Sequence, residues 1–384
     1  MKHFSNNLLQ LIICTALVVV LAGCRNLSHP TVGINDDESL AGSYIRYARG
    51  FSVTQHDDIA EVVIFNPWHR NDTLAHFFVI SKSAVLSDID SQKLVVPTPL
   101  DRIIALSATQ WGPLITLGEV GRIVGVSEGR FINDTLVRRL LNEGKLTDVG
   151  GEERYDVEKM LRLEPGAVFY SPNPAGVPAQ LAYTRMNLIP WPDYLENHPL
   201  GRAEWVKLLG LLTGKDVEAS RLFKHIETEY HSLKQLAASA KERPTVFSDK
   251  AFAGQWYVPC GQSYLATLLA DAGSDYVFRS LEGEASVPLD IEAIFSKAAH
   301  AQYWRIAQAA PEGYSYPQIL AENEFYGTFD AFKNHRIIFC NTAKTAYFEK
   351  GNLEPHQMLA DLIAIFHPQL LPDHQPVFYQ LLEP

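Results

Sequence analysis

Between Asp101 and Phe366 short apolar runs alternate with helical segments, in two blocks separated by one long helical signal. In the first block Arg102–Leu106 reads as a buried strand, Trp111–Leu117 as a helix ended by Gly118 and Gly121, and Arg122–Val126 as the next strand. A helix over residues 133–142 and a strand at Val168–Tyr170 follow. After Pro244 the pattern restarts, with strands at Thr245–Ser248, Ala301–Ile306 and Ile337–Cys340. Helices are expected over Ser263–Ala272, Ile291–Ala298 and Glu354–Phe366. Alternation of this kind gives βαβ units and a mostly parallel sheet, so an α/β chain with one sheet per block is expected.

Residues 201–242 carry the long helical signal, with Gly210 and Gly214 as breaks and Asp216 as the N-cap of the main helix. Ala219, Leu222, Phe223, Ile226, Tyr230, Leu233 and Ala237 keep helical spacing, and Pro244 follows the end. About 25 residues at 1.5 Å each make a rod of roughly 38 Å, long enough to cross between two domains. An ungapped match of residues 156–170 on residues 290–304 supports two similar lobes: both open with Asp-(Val/Ile)-Glu and both run into a predicted strand.

The first residues have a different logic. Leu11 to Ala22 is apolar except for Thr15, too short to span a membrane comfortably and right for the core of a signal peptide. It ends in Leu21-Ala22-Gly23-Cys24, which resembles the bacterial lipobox, so Cys24 is expected to become the acylated first residue. Residues 24–50 are polar and read as a tether. Residues 51–98 read as a β-rich hairpin extension, with apolar β-branched runs at Ile59–Phe65 and Ala75–Ile80. The remaining divisions are an N-terminal lobe over 99–198, a linking helix over 199–242 and a C-terminal lobe over 243–384.

Composition narrows the function. The 384 residues are 47% hydrophobic and 20% charged with a net charge of −11, which is ordinary globular material without the clustered cations a nucleic-acid partner requires. Gly125-Val-Ser-Glu-Gly129 matches a nucleophile-elbow pattern, but the stretch Gly129-Arg-Phe-Ile132 intervenes between Glu128 and the next helix, so Ser127 reads as a turn. A lipid-anchored hydrolase using Ser127 is the alternative from the enzyme class, and an adhesion or assembly lipoprotein without a ligand is the third reading. The 13 histidines are scattered without metal-ligand spacing, and dinucleotide and P-loop patterns are missing. Neither a resident metal nor a cofactor is expected. After loss of Cys14 with the signal, Cys260 and Cys340 remain, as a disulfide or as two buried thiols.

Ligands of open α/β sheets sit outside the carboxyl ends of the strands. The loops there offer Thr109, Gln110 and Trp111, then Asn173, then Gln255, Trp256 and Tyr257, with Arg305 and Lys344 later. They are aromatic and mostly uncharged, which suits a bulky, partly apolar ligand. The candidate cations are few: Lys250, Arg305, Lys344 and Lys350.

The lipobox, Arg-Ile-Ile-Ala-Leu-Ser from Arg102, Ile-Val-Gly-Val-Ser from Ile123, the segment 156–168, Gln-Trp-Tyr-Val-Pro from Gln255 and Leu-Ala-Asp-Leu-Ile-Ala from Leu359 resemble, in order and spacing, the binding proteins for iron complexes and vitamin B12 that serve bacterial ABC importers. The resemblance covers about residues 99–372. It implies two Rossmann-like lobes joined by one long rigid helix, a monomer on the periplasmic side of a membrane, and a non-enzymatic role. The implied ligand is a ferric siderophore, haem or cobalamin held between the lobes. In that family one glutamate on each lobe meets the permease dimer, and the matching residues are Glu158 and Glu292.

Overall fold

A computed structural model of the chain describes residues 44–384 except 57, 70, 71, 83–93 and 133. The signal peptide, Cys24 and most of the expected tether lie outside the described residues.

The β-rich extension is larger than a hairpin. Strands β1 (Phe51–His56), β2 (Ile59–Phe65) and β3 (Thr73–Ser81) pair antiparallel in order, and β4 (Leu94–Thr98) adds parallel to β3. Alternation along β2 turns Ala60, Val62 and Ile64 inward, where they share one core with the N-terminal lobe.

That lobe runs β5 (Ile103–Ala105), α1 (Ala108–Thr116), β6 (Ile123–Val126), α2 (Thr135–Asn142), β7 (Thr147–Asp148), a small hairpin of β8 (Gly150–Gly151) and β9 (Arg154–Tyr155), α3 (Val157–Arg162), β10 (Ala167–Tyr170) and β11 (Leu188–Pro190). Its sheet is parallel, in the order β11-β10-β5-β6-β7. Ile103, Ala105 and Phe169 face one core while Ile104, Val168 and Tyr170 face another, so both faces are covered. Side-chain caps start the helices: Ser107 accepts from the Thr109 N–H, Asp134 from Val137 and Asp156 from Lys159.

The link between lobes is a helical hairpin: α4 (Pro199–Thr213) and α5 (Asp216–Ala238). Gly214, at φ +70°, makes the break, and Lys215 rather than Asp216 is the N-cap. A Cβ on Gly210 would overlap that of Ala219, so the two helices approach backbone to backbone. Helix α4 is buried all round. Trp205, Leu208, Leu209 and Leu212 enter the N-terminal core, and Leu200, Ala203 and Val206 the C-terminal one. Helix α5 is the crossing rod. Lys215 at its start lies 3.9 Å from Glu119 of the first lobe, and Lys234 near its end pairs with Asp271 of the second at 2.8 Å. Its 23 residues span roughly 35 Å.

Residues 44–50 are a strap on this hairpin, not a tether. The Glu204 carboxylate on α4, fully buried, accepts from the backbone N–H of Arg46 (3.0 Å), Tyr47 (2.6 Å) and Ala48 (2.9 Å), with Lys207 Nζ at 2.8 Å. Glu196 accepts from the N–H of Arg49 and Gly50. Tyr47 donates to Glu227 on α5, and Arg49 pairs with Glu284 of the second lobe.

The C-terminal lobe runs β12 (Thr245–Ser248), β13 (Ala251–Phe252), β14 (Gln255–Pro259), α6 (Tyr264–Asp271), β15 (Asp275–Tyr276), β16 (Ser286–Leu289), α7 (Ile291–Ala298), β17 (Tyr303–Gln308), α8 (Tyr316–Glu322), α9 (Asp330–Lys333), β18 (Ile337–Asn341), α10 (Tyr347–Lys350), α11 (Pro355–Phe366) and β19 (Gln380–Leu381). The main sheet is β15-β12-β17-β18-β19, antiparallel only at β19. The sequence repeat is a repeat of position. Helices α3 and α7, capped by Asp156 and Asp290, precede β10 and β17, and each of these strands pairs with the first strand of its own lobe sheet, β5 or β12. Cys260 and Cys340 are buried free thiols, and Cys340 Sγ lies 3.4 Å from Thr345 Oγ1, so the disulfide alternative falls.

Candidate ligand-binding cleft

A cavity of about 630 Å³ opens where the strand ends of the two lobes face each other. The N-terminal lobe lines it with the loops after β5 (Ser107, Trp111), β6 (Ser127, Glu128, Arg130, Phe131) and β10 (Ser171). The C-terminal lobe adds Ala309 after β17, Thr342 after β18, and Phe348 and Glu349 on α10. A roomier hollow of about 800 Å³ beside Lys241, Arg243 and Arg336 lies before β12, β17 and β18, at the other ends of those strands, and only one lobe and the end of the link line it. In open α/β folds the carboxyl ends hold ligand, which favours the cleft.

Next to the cleft the lobes meet directly. A Cβ on Gly112 of α1 would overlap the carbonyl oxygen of Glu349 on α10, so only glycine allows this approach. Asn352 Nδ2 donates to the Thr109 carbonyl at 3.0 Å, and Thr109 Oγ1 donates to Asp193 Oδ1 at 3.3 Å. Asp193 is fully buried, and its Oδ2 has no donor among the described residues. Burial lifts its pKa to about 7 against the opposing pull of Arg202, Thr109 and Asn352.

The structure sorts the residues expected to hold ligand. Trp111 lines the floor of the cleft at 2% exposure. Thr109 belongs to the seam between lobes, and Gln110 is buried behind Ser171, donating Nε2 to its Oγ at 3.3 Å. Asn173 is exposed in a turn, its Oδ1 accepting from the Ala175 N–H, outside the cleft lining. The Gln255–Tyr257 assignment is wrong in place. These residues form β14, the middle strand of a side sheet β13-β14-β16, not a loop on the cleft. Alternation buries Trp256 against Phe247, Trp304 and Phe329, with Nε1 donating to the Ser248 carbonyl, while Gln255 and Tyr257 point to solvent. Arg305 is buried in the lobe, bonded to Asp249 Oδ1 (2.9 Å) and the Tyr379 hydroxyl (2.7 Å). Lys344 lines a separate cavity with Tyr314 and Tyr379, and Lys250 pairs with Glu322.

Ser127 does line the cleft, but its hydroxyl is committed to the Leu106 carbonyl at 2.6 Å. The turn after it runs through Glu128 at φ +55° into a short 3₁₀ segment instead of a helix, so no elbow forms. That turn holds what the sequence reading missed: Glu128, Arg130 and Phe131. The strand-end rule applies to β6 as it does to β5 and would have found them.

Glu158 and Glu292 are both exposed in the first turn of their helices, one per lobe, and Glu158 makes an i,i+4 contact to Arg162 at 3.3 Å.

Residues 103–343 match the model of a family described as periplasmic binding protein. A Methanocaldococcus jannaschii protein named as an uncharacterized lipoprotein is 25% identical over 96% of this chain and 94% of its own length. Among solved structures, a periplasmic heme binding protein from Pseudomonas aeruginosa superposes with a TM-score of 0.57 at 18% identity, covering 74% of this chain and 99% of that one. An ABC transporter substrate-binding protein from Listeria monocytogenes gives 0.55 at 18% identity, over 70% and 99%. At these identities the structures establish the same two-lobed fold, and with the family match over both lobes the chain belongs to the periplasmic binding protein family.

Proposed function

We propose that this chain is the substrate-binding lipoprotein of an ABC importer for an iron complex or a corrinoid. One observation carries the reading: the cavity is built from the strand-end loops of both lobes, with α5 running from one lobe to the other. A bound molecule touching both halves fixes the relation between them, and a permease can read that relation. Cys24, acylated after removal of residues 1–23, holds the protein at the membrane on its extracytoplasmic side. Glu158 and Glu292, on equivalent helices of the two lobes, each address one subunit of a two-fold permease.

Trp111 in the cleft floor supplies the assay. Titration of the mature protein with cobalamin, haem and ferric chelates should quench its fluorescence with saturation for one class, and Trp111→Phe should remove most of the signal. Failure of every complex to bind, with the protein folded by circular dichroism, would overturn the reading. Ester hydrolysis lost in Ser127→Ala would support the hydrolase alternative instead.

A further inference from the structure

The charge of the cleft does not suit an anionic chelate. Glu128 and Glu152 line it, both exposed to the cavity and in no ion pair among the described residues. Arg130 is the one Lys or Arg side chain among the lining residues, and its guanidinium lies 4.5 Å from the Phe131 ring centroid. Opposite, Glu349 closes the C-terminal wall, 8% exposed. Of the cations the sequence offered, Arg305 and Lys250 are paired inside their lobe, Lys344 sits in another cavity, and Lys350, exposed at the end of α10 next to Glu349, is not among the lining residues.

The apolar part of the lining is equally specific. Phe131 from the first lobe and Phe348 from the second are 61% and 52% exposed, both lining the same cavity. Large aromatic side chains left in water on both walls of one cleft gain contact area only when something enters between them. Behind Ser171, Gln110 is fully buried and its Oε1 has no donor among the described residues. Glu128 and Glu152 thus face the cleft as acceptors awaiting donors.

From these observations we infer that the cleft selects a bulky metal complex of neutral or positive net charge, its apolar faces against Phe131 and Phe348 and its amide or ammonium N–H groups toward Glu128 and Glu152. The inference rests on the proposed function and narrows it. A trianionic ferric tricatecholate would bring three negative charges against two unpaired carboxylates, a repulsion that a single Arg does not offset in a partly desolvated site. A neutral or cationic ferric hydroxamate, or cobalamin with its rim of amides, meets acceptors instead.

Iron chelates that differ in net charge separate charge from identity. The mature protein is titrated at low salt with a monocationic ferric trihydroxamate, a neutral one, a trianionic tricatecholate and cobalamin. The tricatecholate should bind at least about a hundredfold more weakly than the best neutral or cationic complex. In Glu128→Gln/Glu152→Gln the cationic complex should lose about tenfold while the neutral one changes little, and added salt should no longer weaken the cationic complex selectively. Phe131→Ala/Phe348→Ala should weaken every complex that binds. Equal or tighter binding of the tricatecholate, or an unchanged charge preference in the double Gln variant, overturns the inference and leaves the proposed function standing. Failure of all four complexes, and of haem in the same titration, takes down both.

Discussion

Gly112 and Glu349 bring the backbones of the two lobes together beside the cleft, in a place where a single methyl group on Gly112 would collide with the Glu349 carbonyl oxygen. Main chain cannot step aside as a flexible side-chain end does. Gly112→Ala must therefore push α10 away from α1 and widen the seam that Asn352 and Thr109 also bridge. Overpacking of this kind typically costs about 1–3 kcal/mol. The expected outcome is a lower melting temperature together with weaker ligand binding, since Phe348 moves with α10. Unchanged melting and unchanged titration would show that the seam yields freely.

Asp193 gives the seam a dependence on pH. Its carboxyl group is held protonated up to about pH 7 by burial, against a value of 3.8 when exposed. Between those values the folded chain binds a proton that the unfolded chain has released. The stability from this group is thus complete below about pH 4 and is lost as pH rises through 7. Asp193→Asn keeps a neutral group able to accept from Thr109. It should flatten this part of the stability profile and raise stability at pH 8 by on the order of a few kcal/mol. Chemical denaturation of both proteins from pH 5 to 8 measures the difference, and parallel profiles would remove Asp193 from the account.

The strap depends on Glu204. This carboxylate is fully buried and is satisfied by three backbone N–H groups and Lys207. Glu204→Ala leaves those N–H donors without a partner and takes the counter-charge from the buried Lys207 ammonium, which keeps the Tyr44 carbonyl at 2.8 Å, a change that typically costs about 3–5 kcal/mol. The loss should be local first: limited proteolysis should cut within residues 44–50 in Glu204→Ala under conditions that leave the wild type whole. Equal protection in both would show that Glu204 is dispensable and that Glu196, Glu227 and the apolar Ile45 and Phe51 hold the strap without it.

The two lobes and the crossing helix were legible because each rests on local periodicity: buried strands of three to six residues, helices opened by Ser or Asp caps, and a glycine at the break. The strap was not. Its partners are 146 to 235 residues away in sequence, and Glu196 and Glu204 look like ordinary surface acids until the backbone that covers them is in place. Trp256 misled for the opposite reason. Gly254 and Pro259 beside it signal a loop, whereas pairing of β14 with β16 makes it a strand whose alternation points the indole into the lobe. Cleft charge was out of reach because it depends on which side of the β6 turn Glu128 and Arg130 project from, and the left-handed backbone at Glu128 sets that.

The duplicated helix starts at Asp156 and Asp290 carry the last prediction. Each Asp side chain accepts the N–H three residues on, from Lys159 at 3.0 Å and Ala293 at 2.8 Å, so both cap the same position of their helix, on different backbones (ψ 79° at Asp156, 163° at Asp290). The helix dipole favours an acid in each first turn, which accounts for a glutamate at either place but requires no matching pair. Glu158 is 82% exposed at its side chain and pairs with Arg162, itself exposed on the surface, so its removal costs the fold little. Exposed charges of this kind act through steering and orientation of a partner. Glu158→Lys/Glu292→Lys is therefore expected to melt like the wild type and to bind ligand with the same dissociation constant, while uptake through the intact importer falls by more than about tenfold. A single reversal should give an intermediate loss, since one lobe can still engage its subunit. Wild-type uptake in the double variant would remove both glutamates from docking, and a loss of ligand binding alongside uptake would place their effect in the lobes instead of at the permease.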